Sequence, residues 1–525
     1  MKQINLKEFI RDDISKMEPY APVLSLWDLN KKFNRSNKKI LKLDQGENQY
    51  GVLPKVRKAI RQANIFNYYP DPEYKNLRAA IAKYVETKTD YIMVGAGADE
   101  LLDLILRLVI NDGDQVINCP PTFGMYQVLV ELNKGIVITV PREKDYSLNI
   151  KEILKKVNKK TKAIFICSPN NPTGNIATQE EIVTLLKKGK LIIVDEAYFE
   201  FCGKTVISLV TKYKNLIVLR TFSKWAGLAG LRLGYAVMDP FLVKEMLKIK
   251  MPFNVNLAAE VCGIAALDDL TSAKKIIKRI IEERERIYKQ LTKIDYLTVY
   301  PSEANFLPIR AQNLPKLKEY LESKLIIARY YFSDGLMRLS IGTPEQNSKV
   351  IKIFKEFKFE KIRKYAFLDR DGTLIFEPQD TFQIDSIEKL KVLDGVIKGL
   401  VQLKKMGYEL IMVTNQDGLG TSTFPRANFE TPQNKMLSIF EENGIKFKKI
   451  FICPHLLSQN CDCRKPKKGL VKKFLKNNEI DINKSFVCGD RTTDKLFAEN
   501  IGIKFISVQT NGNFLNALVK GGVIL

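Results

Sequence analysis

The sequence predicts an α/β protein built as two successive domains. Two observations carry that prediction. Short apolar runs, each closed by Gly, Pro or a polar cluster, alternate with helical patterns along the chain, as strands joined by crossover helices do. A charged stretch without Pro or Gly, FKEFKFEKIRK at 354–364, separates two such series. The boundary is expected near Arg363, with domains over 1–357 and 364–525. Length alone, at 525 residues, would allow three to four domains of about 150 residues.

In the first domain, DYIMVGAG (90–97), QVINCPP (115–121), KAIFICSP (162–169), LIIVDEAY (191–198) and NLIVLRTFSK (215–224) read as strands. The stretches DELLDLILRLVI and QEEIVTLLKK between them read as helices. KKIIKRIIEERERIYKQLTKI is a long amphipathic helix, and ANFLPIR and LMRLSIG are strands of a smaller subdomain. The second domain opens on the strand YAFLDRDGT and repeats strand-then-loop units at ELIMVTNQ, KIFICPH, KSFVCGDR and KFISVQT.

Composition narrows the chemistry. Hydrophobic residues are 45% and charged residues 27%, a globular balance. No apolar run nears the roughly 20 residues that span a bilayer, and the start MKQINLKEFIRDD has no signal-like apolar core, so a cytoplasmic protein without membrane contact is expected. The net charge is 84 − 59 = +25. Its lysines are scattered, with only short runs at 187–190 and Lys467–Lys468, which fits phosphorylated substrates better than nucleic acid. There is one histidine, His455, so a serine-protease triad or multi-histidine metal site elsewhere is excluded. Of the eight cysteines, Cys453, Cys461 and Cys463 gather around that histidine.

The first domain carries the residue types that a pyridoxal-phosphate (PLP) site requires. Lys224 follows a strand in TFSKWAGLAGLRLG and can form an imine with the cofactor aldehyde. Asp195 ends the run LIIVD, where a buried carboxylate needs a cationic partner such as a pyridinium. Tyr198 and Asn171, the latter in SPNNPTG, can hydrogen-bond a phenolate oxygen. Thr221, Ser223 and Arg232 suit a phosphate, as do the amides of Ala98 and Asp99 where GAGADE starts a helix. Phe123 in CPPTFGMY can stack on the ring. Singly each signal is weak; in the order SPNNPTG, DEAY, TFSK, GLRLG they are specific.

In the second domain, Asp369 and Asp371 close an apolar strand in YAFLDRDGTLI. A carboxylate attacks phosphorus when Mg²⁺ and nearby donors offset its charge. Asp490 and Asp494 in VCGDRTTD add oxygen ligands, and Thr414, Asn415, Arg464 and Lys465 can hold a phosphoryl group or its ester. The spacing C-x-H-x₅-C-x-C of Cys453, His455, Cys461 and Cys463 supplies the four ligands of a closed tetrahedral Zn²⁺ site.

Residues 6–355 resemble histidinol-phosphate aminotransferase, a PLP enzyme of fold type I with large and small subdomains. The likeness runs from IRDDISKMEPYAPV through KLDQGENQYG, NYYPDPEY, CPPTFGMY, SPNNPTG, DEAYFEF and LRTFSKWAGLAGLRLG to MRLSIGT. It implies amino transfer between glutamate and imidazole acetol phosphate, with Lys224 as imine-forming lysine and proton carrier. It also implies that Asp195 holds the ring nitrogen, that Tyr69 reaches the cofactor of a second subunit in a homodimer, and that Tyr50, Arg329 and Arg338 bind substrate anions.

Residues 364–512 resemble the histidinol-phosphatase domain of the haloacid-dehalogenase superfamily, through FLDRDGTLI, VTNQDGLGTSTFP, CPHLLSQNCDCRKP and GDRTTD. That likeness implies a HAD-like Rossmannoid fold, Asp369 as nucleophile, Asp371 as general acid/base, and Mg²⁺ on Asp369, Asp490 and the backbone of Asp371. The two likenesses meet at one metabolite: the first domain would make histidinol phosphate and the second would hydrolyse it. The rival reading is an aromatic-amino-acid aminotransferase fused to a heptose-bisphosphate-type sugar phosphatase.

Overall fold

The computed structural model describes residues 6–17, 23–33, 40–357 and 363–524. Two segments singled out in the sequence fall partly beyond these: the linker at 354–364, and the arm IRDDISKMEPYAPV. Of them, residues 358–362 and 18–22 lie outside the described residues. The chain divides into two compact units, Met1–Lys358 and Phe359–Leu525.

The first unit is built on a seven-stranded sheet. Its strands are β1 (Ile92–Gly95), β2 (Gln115–Asn118), β3 (Ile136–Thr139), β4 (Thr161–Cys167), β5 (Leu191–Asp195), β6 (Leu216–Thr221) and β7 (Gly234–Val237). They lie in the order β1-β7-β6-β5-β4-β2-β3, all parallel except β7, which runs against both neighbours. The central strands β4, β5 and β6 are almost continuously apolar and buried, as strands covered on both faces must be. The sequence reading found five of the seven. It missed β7, a strand of only four residues that opens on Gly234, and β3, a sheet edge with two exposed ends.

Four helices matter below: α1 (Pro54–Gln62), α2 (Ala98–Val109), α3 (Met125–Leu132) and α4 (Leu270–Leu291). Leu101, Leu102, Ile105 and Leu106 of α2 are buried in the same core as Phe165 of β4 and Ile193 of β5. This anchors the N-terminus of α2 against the sheet. A smaller antiparallel sheet holds β8 (Leu297–Val299), β9 (Phe306–Ala311), β10 (Arg329–Tyr331) and β11 (Leu336–Ser340), in the order β10-β11-β9-β8.

A buried ion pair ties β5 to β6 just beyond Asp195. Arg220 donates to Glu196 Oε2 from Nε (3.0 Å) and from the terminal guanidinium nitrogen (2.8 Å). Thr205 Oγ1 and the Val206 amide complete the glutamate's bonds, at 2.8 Å each. A buried charge pair is tolerated when its remaining bonds are made, so this contact fixes the strand ends that carry Asp195 and Thr221.

The second unit has a five-stranded, all-parallel sheet. Its strands are β12 (Lys364–Leu368), β13 (Tyr408–Asn415), β14 (Phe447–Cys453), β15 (Phe486–Gly489) and β16 (Lys504–Ser507), ordered β14-β13-β12-β15-β16. Separate apolar clusters cover its two faces, one around Leu368, Leu400 and Phe514, the other around Phe367, Val413 and Phe497. Asp369, Thr414, Cys453 and Asp490 all stand at C-terminal strand ends, the edge where open α/β sheets bind ligands.

Candidate active sites

In the first unit the loops after β4, β5 and β6 bring the expected residues together. Asp195 is 5% exposed and accepts a 2.6 Å hydrogen bond from the Tyr126 hydroxyl. Burial raises the Asp195 carboxyl above its usual range, and the Tyr126 bond and the Ala197 amide pull it back down. Tyr126 lies on α3, stacked on Phe165 at 4.6 Å and edge-on to the half-buried Phe123 at 5.4 Å. The sequence reading missed Tyr126. Its contact with Asp195 spans 69 positions, and nearness to Phe123 was the only local signal.

Lys224 donates from Nζ to the Gln45 carbonyl at 2.7 Å and lies 5.7 Å from the Tyr198 ring centre. Burial, with Arg338 adding to it, lowers its ammonium to about 8. Tyr198 is edge-on to Phe306 at 5.1 Å. Asn171 Oδ1 accepts from Arg338 at 2.5 Å, and Arg338 also donates to the Asp44 carbonyl at 2.5 Å. Arg329 pairs with Arg338 across β10 and β11, so both side chains leave the same face of the small sheet.

A second group of donors gathers at the start of α2. The amides of Ala98 and Asp99 precede the first intrahelical bonds of that helix. Thr221 Oγ1 donates to Ser223 Oγ at 2.9 Å and accepts from the Ser223 amide at 3.1 Å. Arg232 pairs with Asp99 at 3.0 Å. Gly97 is required here: its φ is +89°, and a Cβ would sit 2.7 Å from the Arg232 guanidinium. The helix N-terminus, the two buried hydroxyls and the Arg232 guanidinium together offer donors suited to a phosphate dianion.

Tyr69 is 81% exposed, stacked on Phe253 at 4.7 Å. A turn closed by the Gly51 amide on the Asn48 carbonyl (3.1 Å) sends the Asn48 side chain to the Trp225 carbonyl at 2.9 Å. Tyr50 lines a groove with α1 and α4.

In the second unit a cleft of about 890 Å³ opens over the strand ends, lined by Asp369, Asp371, Thr414, Asn415, Lys465 and Asp490 among others. The buried Lys465 donates to Asp369 and Asp494, 2.6 Å each. Burial and the neighbouring Asp494 raise the Asp369 carboxyl, while Lys465 draws it down. Ligand oxygens of Asp369, Asp490 and Asp494 lie within 4.8 Å of one another, a spacing that could hold a hard divalent cation. Asp371 turns elsewhere: its two oxygens accept from Arg370 and Gln416, 2.6 Å each. The two aspartates therefore diverge into separate environments. Asp494, rather than the Asp371 side chain, completes the carboxylate group; Gly489 makes room, since a Cβ there would lie 2.4 Å from Asp494.

Asn415 and Lys465 hold each other reciprocally through the Lys465 amide (3.0 Å) and carbonyl (3.3 Å). Arg464 is tied to Asp417 and to the His455 carbonyl (3.1 Å). The adjoining loop gathers Cys453, His455, Cys461 and Cys463. Sulfur–sulfur distances are 3.3–3.6 Å, and His455 Nδ1 is 3.1 Å from Cys463 Sγ. Four ligands around one tetrahedral zinc at 2.3 Å stand about 3.8 Å apart, so the set is nearly preformed.

Comparison with known proteins separates the same two parts. The family described as aminotransferase class I and II matches residues 38–354, and the family described as polynucleotide kinase 3 phosphatase matches residues 364–510. A histidinol-phosphate aminotransferase of Dehalococcoides mccartyi is 40% identical over 357 residues, covering 67% of this chain and 98% of its own length. The chloroplastic histidinol-phosphate aminotransferase of Nicotiana tabacum is 41% identical, over 66% of this chain and 86% of its own. The histidinol-phosphate aminotransferase of Sinorhizobium meliloti, solved with pyridoxal-5'-phosphate, superposes with a TM-score of 0.60 at 25% identity, over 66% of this chain and 97% of its own. Among the described residues no helix is long and apolar enough to cross a membrane.

Proposed function

The chain belongs to the class I and II aminotransferases through residues 38–354, and from that premise we propose that it makes histidinol phosphate and then hydrolyses it. The first unit would transfer an amino group from glutamate to imidazole acetol phosphate, the activity for which its relatives at 40–41% identity are named. The second unit would release phosphate from the product. The observation that carries the reading is the buried Asp195 and half-buried Lys224 on neighbouring strand ends, with Thr221, Ser223 and Arg232 close in the chain, in a protein that also holds a carboxylate-lined cleft.

The first site fits PLP. Asp195 is buried and makes no direct ion pair among the described residues, although the Lys224 charge is felt there; the donors at Ala98, Asp99, Thr221, Ser223 and Arg232 suit the phosphate, and the Phe123 ring could stack. Bound there, PLP supplies an electron sink for the carbon that carries the amino group. Lys224 would carry the proton at that carbon, and its depressed ammonium gives it a neutral form near physiological pH. Asp195 would keep the ring nitrogen protonated. Asn171 and Tyr198 would orient the phenolic oxygen, and Arg329 and Arg338 would take the substrate anions in turn. The exposed Tyr69 supports the homodimer reading, in which a second copy covers it.

Tyr126→Phe tests the support under Asp195. The ring keeps its stacking but loses a hydrogen bond to a charged acceptor, so PLP affinity is expected to fall about tenfold in a spectrophotometric titration of apo-protein. Unchanged affinity would mean that Tyr126 does not position Asp195.

In the second unit Asp369 would attack the phosphorus atom as the ester bond breaks and Asp371 protonates the departing alkoxide; a water, giving its proton back to Asp371, would then cleave the aspartyl phosphate and free phosphate and Asp369, with Thr414 and Lys465 holding the phosphoryl group throughout. The oxygens of Asp369, Asp490 and Asp494 fit Mg²⁺, which offsets charge on the phosphoryl oxygens. The Cys453, His455, Cys461 and Cys463 set fits a structural Zn²⁺. One zinc per chain is expected by elemental analysis of protein purified without chelator. Cys461→Ser should lower the unfolding midpoint of the second unit by about 10 °C, with little effect on the first. Metal-free native protein would end that assignment.

The deciding experiment supplies glutamate and imidazole acetol phosphate and follows free phosphate. Histidinol phosphate, a heptose bisphosphate and a 3'-phosphorylated oligonucleotide are then compared as phosphatase substrates. Preference for the sugar phosphate or the oligonucleotide would overturn the second half of the reading and leave the first intact.

A further inference from the structure

The groove that takes Tyr50 has a chemistry of its own. It measures about 610 Å³, within the range of small-molecule sites, and lies between α1 and α4. Arg57, Lys58 and Arg61 of α1 and Arg279 of α4 line it, with no carboxylate among its lining residues. The α1 sequence, PKVRKAIRQ, contains no acid that could pair along the helix. Arg57 and Arg61 are like charges at i and i+4, a spacing that destabilises a helix unless something neutralises it.

The acids nearest on α4 are committed elsewhere. Glu282 pairs with Lys278 at 3.9 Å, and Glu283 with Arg286 at 2.7 Å and with Asn347 at 2.8 Å. An independent observation points the same way. The Tyr50 hydroxyl is buried and has no hydrogen-bond partner among the described residues, which is costly unless a ligand supplies one. Val52 and Ile276 give the groove an apolar wall.

We propose that this groove binds a small organic phosphate, at a site distinct from both the Lys224 group and the phosphatase cleft. Guanidinium forks match phosphate oxygens two at a time, and three of the four cations are arginines. The ammonium of Lys58 adds charge, the Tyr50 hydroxyl adds a donor, and the apolar wall would receive the non-phosphate part.

Inorganic pyrophosphate is the probe. Its binding to the full, PLP-loaded chain is measured by calorimetry without divalent cation, so that the cofactor fills its own phosphate cradle. The Arg57→Gln/Arg61→Gln double variant should bind it at least about tenfold more weakly at one site, and the unsubstituted site should weaken as salt rises. Tyr50→Phe should show a smaller loss at the same site. The double variant should leave KM for glutamate within about twofold. An isotherm unchanged in the folded double variant would overturn the site. A KM for glutamate that rises in step with lost pyrophosphate binding would also overturn it, by making the groove part of the substrate path.

Discussion

Lys224→Ala is expected to abolish transamination, by about 10³-fold or more, while phosphate release from histidinol phosphate continues near the unsubstituted rate. The reason lies in what surrounds the amine. An ordinary lysine, with a pKa near 10.4, leaves only about 1 in 2,500 molecules neutral at pH 7. Burial, with Arg338 adding to it, brings Lys224 to about 8, so about one in ten is neutral at the same pH. The sign follows: the reactive form grows as pH rises through 8. Reconstitution of apo-protein with PLP should therefore quicken with a midpoint near 8 in the unsubstituted chain and lose that dependence in Lys224→Ala. The visible absorption of bound cofactor should shift in the variant, a readout independent of turnover. The alanine opens a small cavity among loops held by the Arg220–Glu196 pair, which keeps the site folded. Loss of both activities in a folded variant would contradict two separate chemistries.

The parts legible in the sequence share one physical feature. SPNNPTG, DEAY, TFSK, DRDGT and GDRTTD each follow an apolar run long enough to be a buried strand, so their polar residues had to emerge at a sheet edge. The cluster of Cys453, His455, Cys461 and Cys463 was legible because all four lie within eleven positions. Contacts that cross the chain were not. Tyr126 meets Asp195 over 69 positions, and Lys465 meets Asp369 over 96, so nothing local announces the geometry of either pair. Asp494 was visible as an acid, but its place in the carboxylate group depends on the first turn of the helix Thr492–Ile501 passing close to Gly489. Tyr50 lies beside a turn closed by the Gly51 amide on the Asn48 carbonyl, and its place in a groove with Arg57, Arg61 and Arg279 joins residues more than 200 positions apart, which no local pattern announces. Strand β7 runs antiparallel in a sheet whose other pairings are parallel, and four residues of apolar sequence cannot encode direction.

Asp369→Asn is expected to stop phosphate release, by about 10⁴-fold or more, and to make histidinol phosphate accumulate in the coupled reaction while transamination proceeds. The amide matches the carboxylate in shape but is a poor nucleophile, so the loss reports chemistry rather than packing. Folding should survive. Lys465 keeps its 2.6 Å bond to Asp494, and the change removes the repulsion between Asp369 and Asp494 that helps raise the Asp369 carboxyl. An unfolding midpoint within a few degrees of the unsubstituted chain would establish that the variant is intact. Asp371→Asn makes a useful contrast. Its oxygens are held by Arg370 and Gln416 outside the carboxylate trio, so it should bind divalent cation as the unsubstituted chain does and still be severely impaired, because the leaving alkoxide lacks its proton. Normal hydrolysis by Asp369→Asn would show that the carboxylate does not attack phosphorus. The trio would then be a cation site serving an attacking water, and Asp371 would become the candidate base for that water.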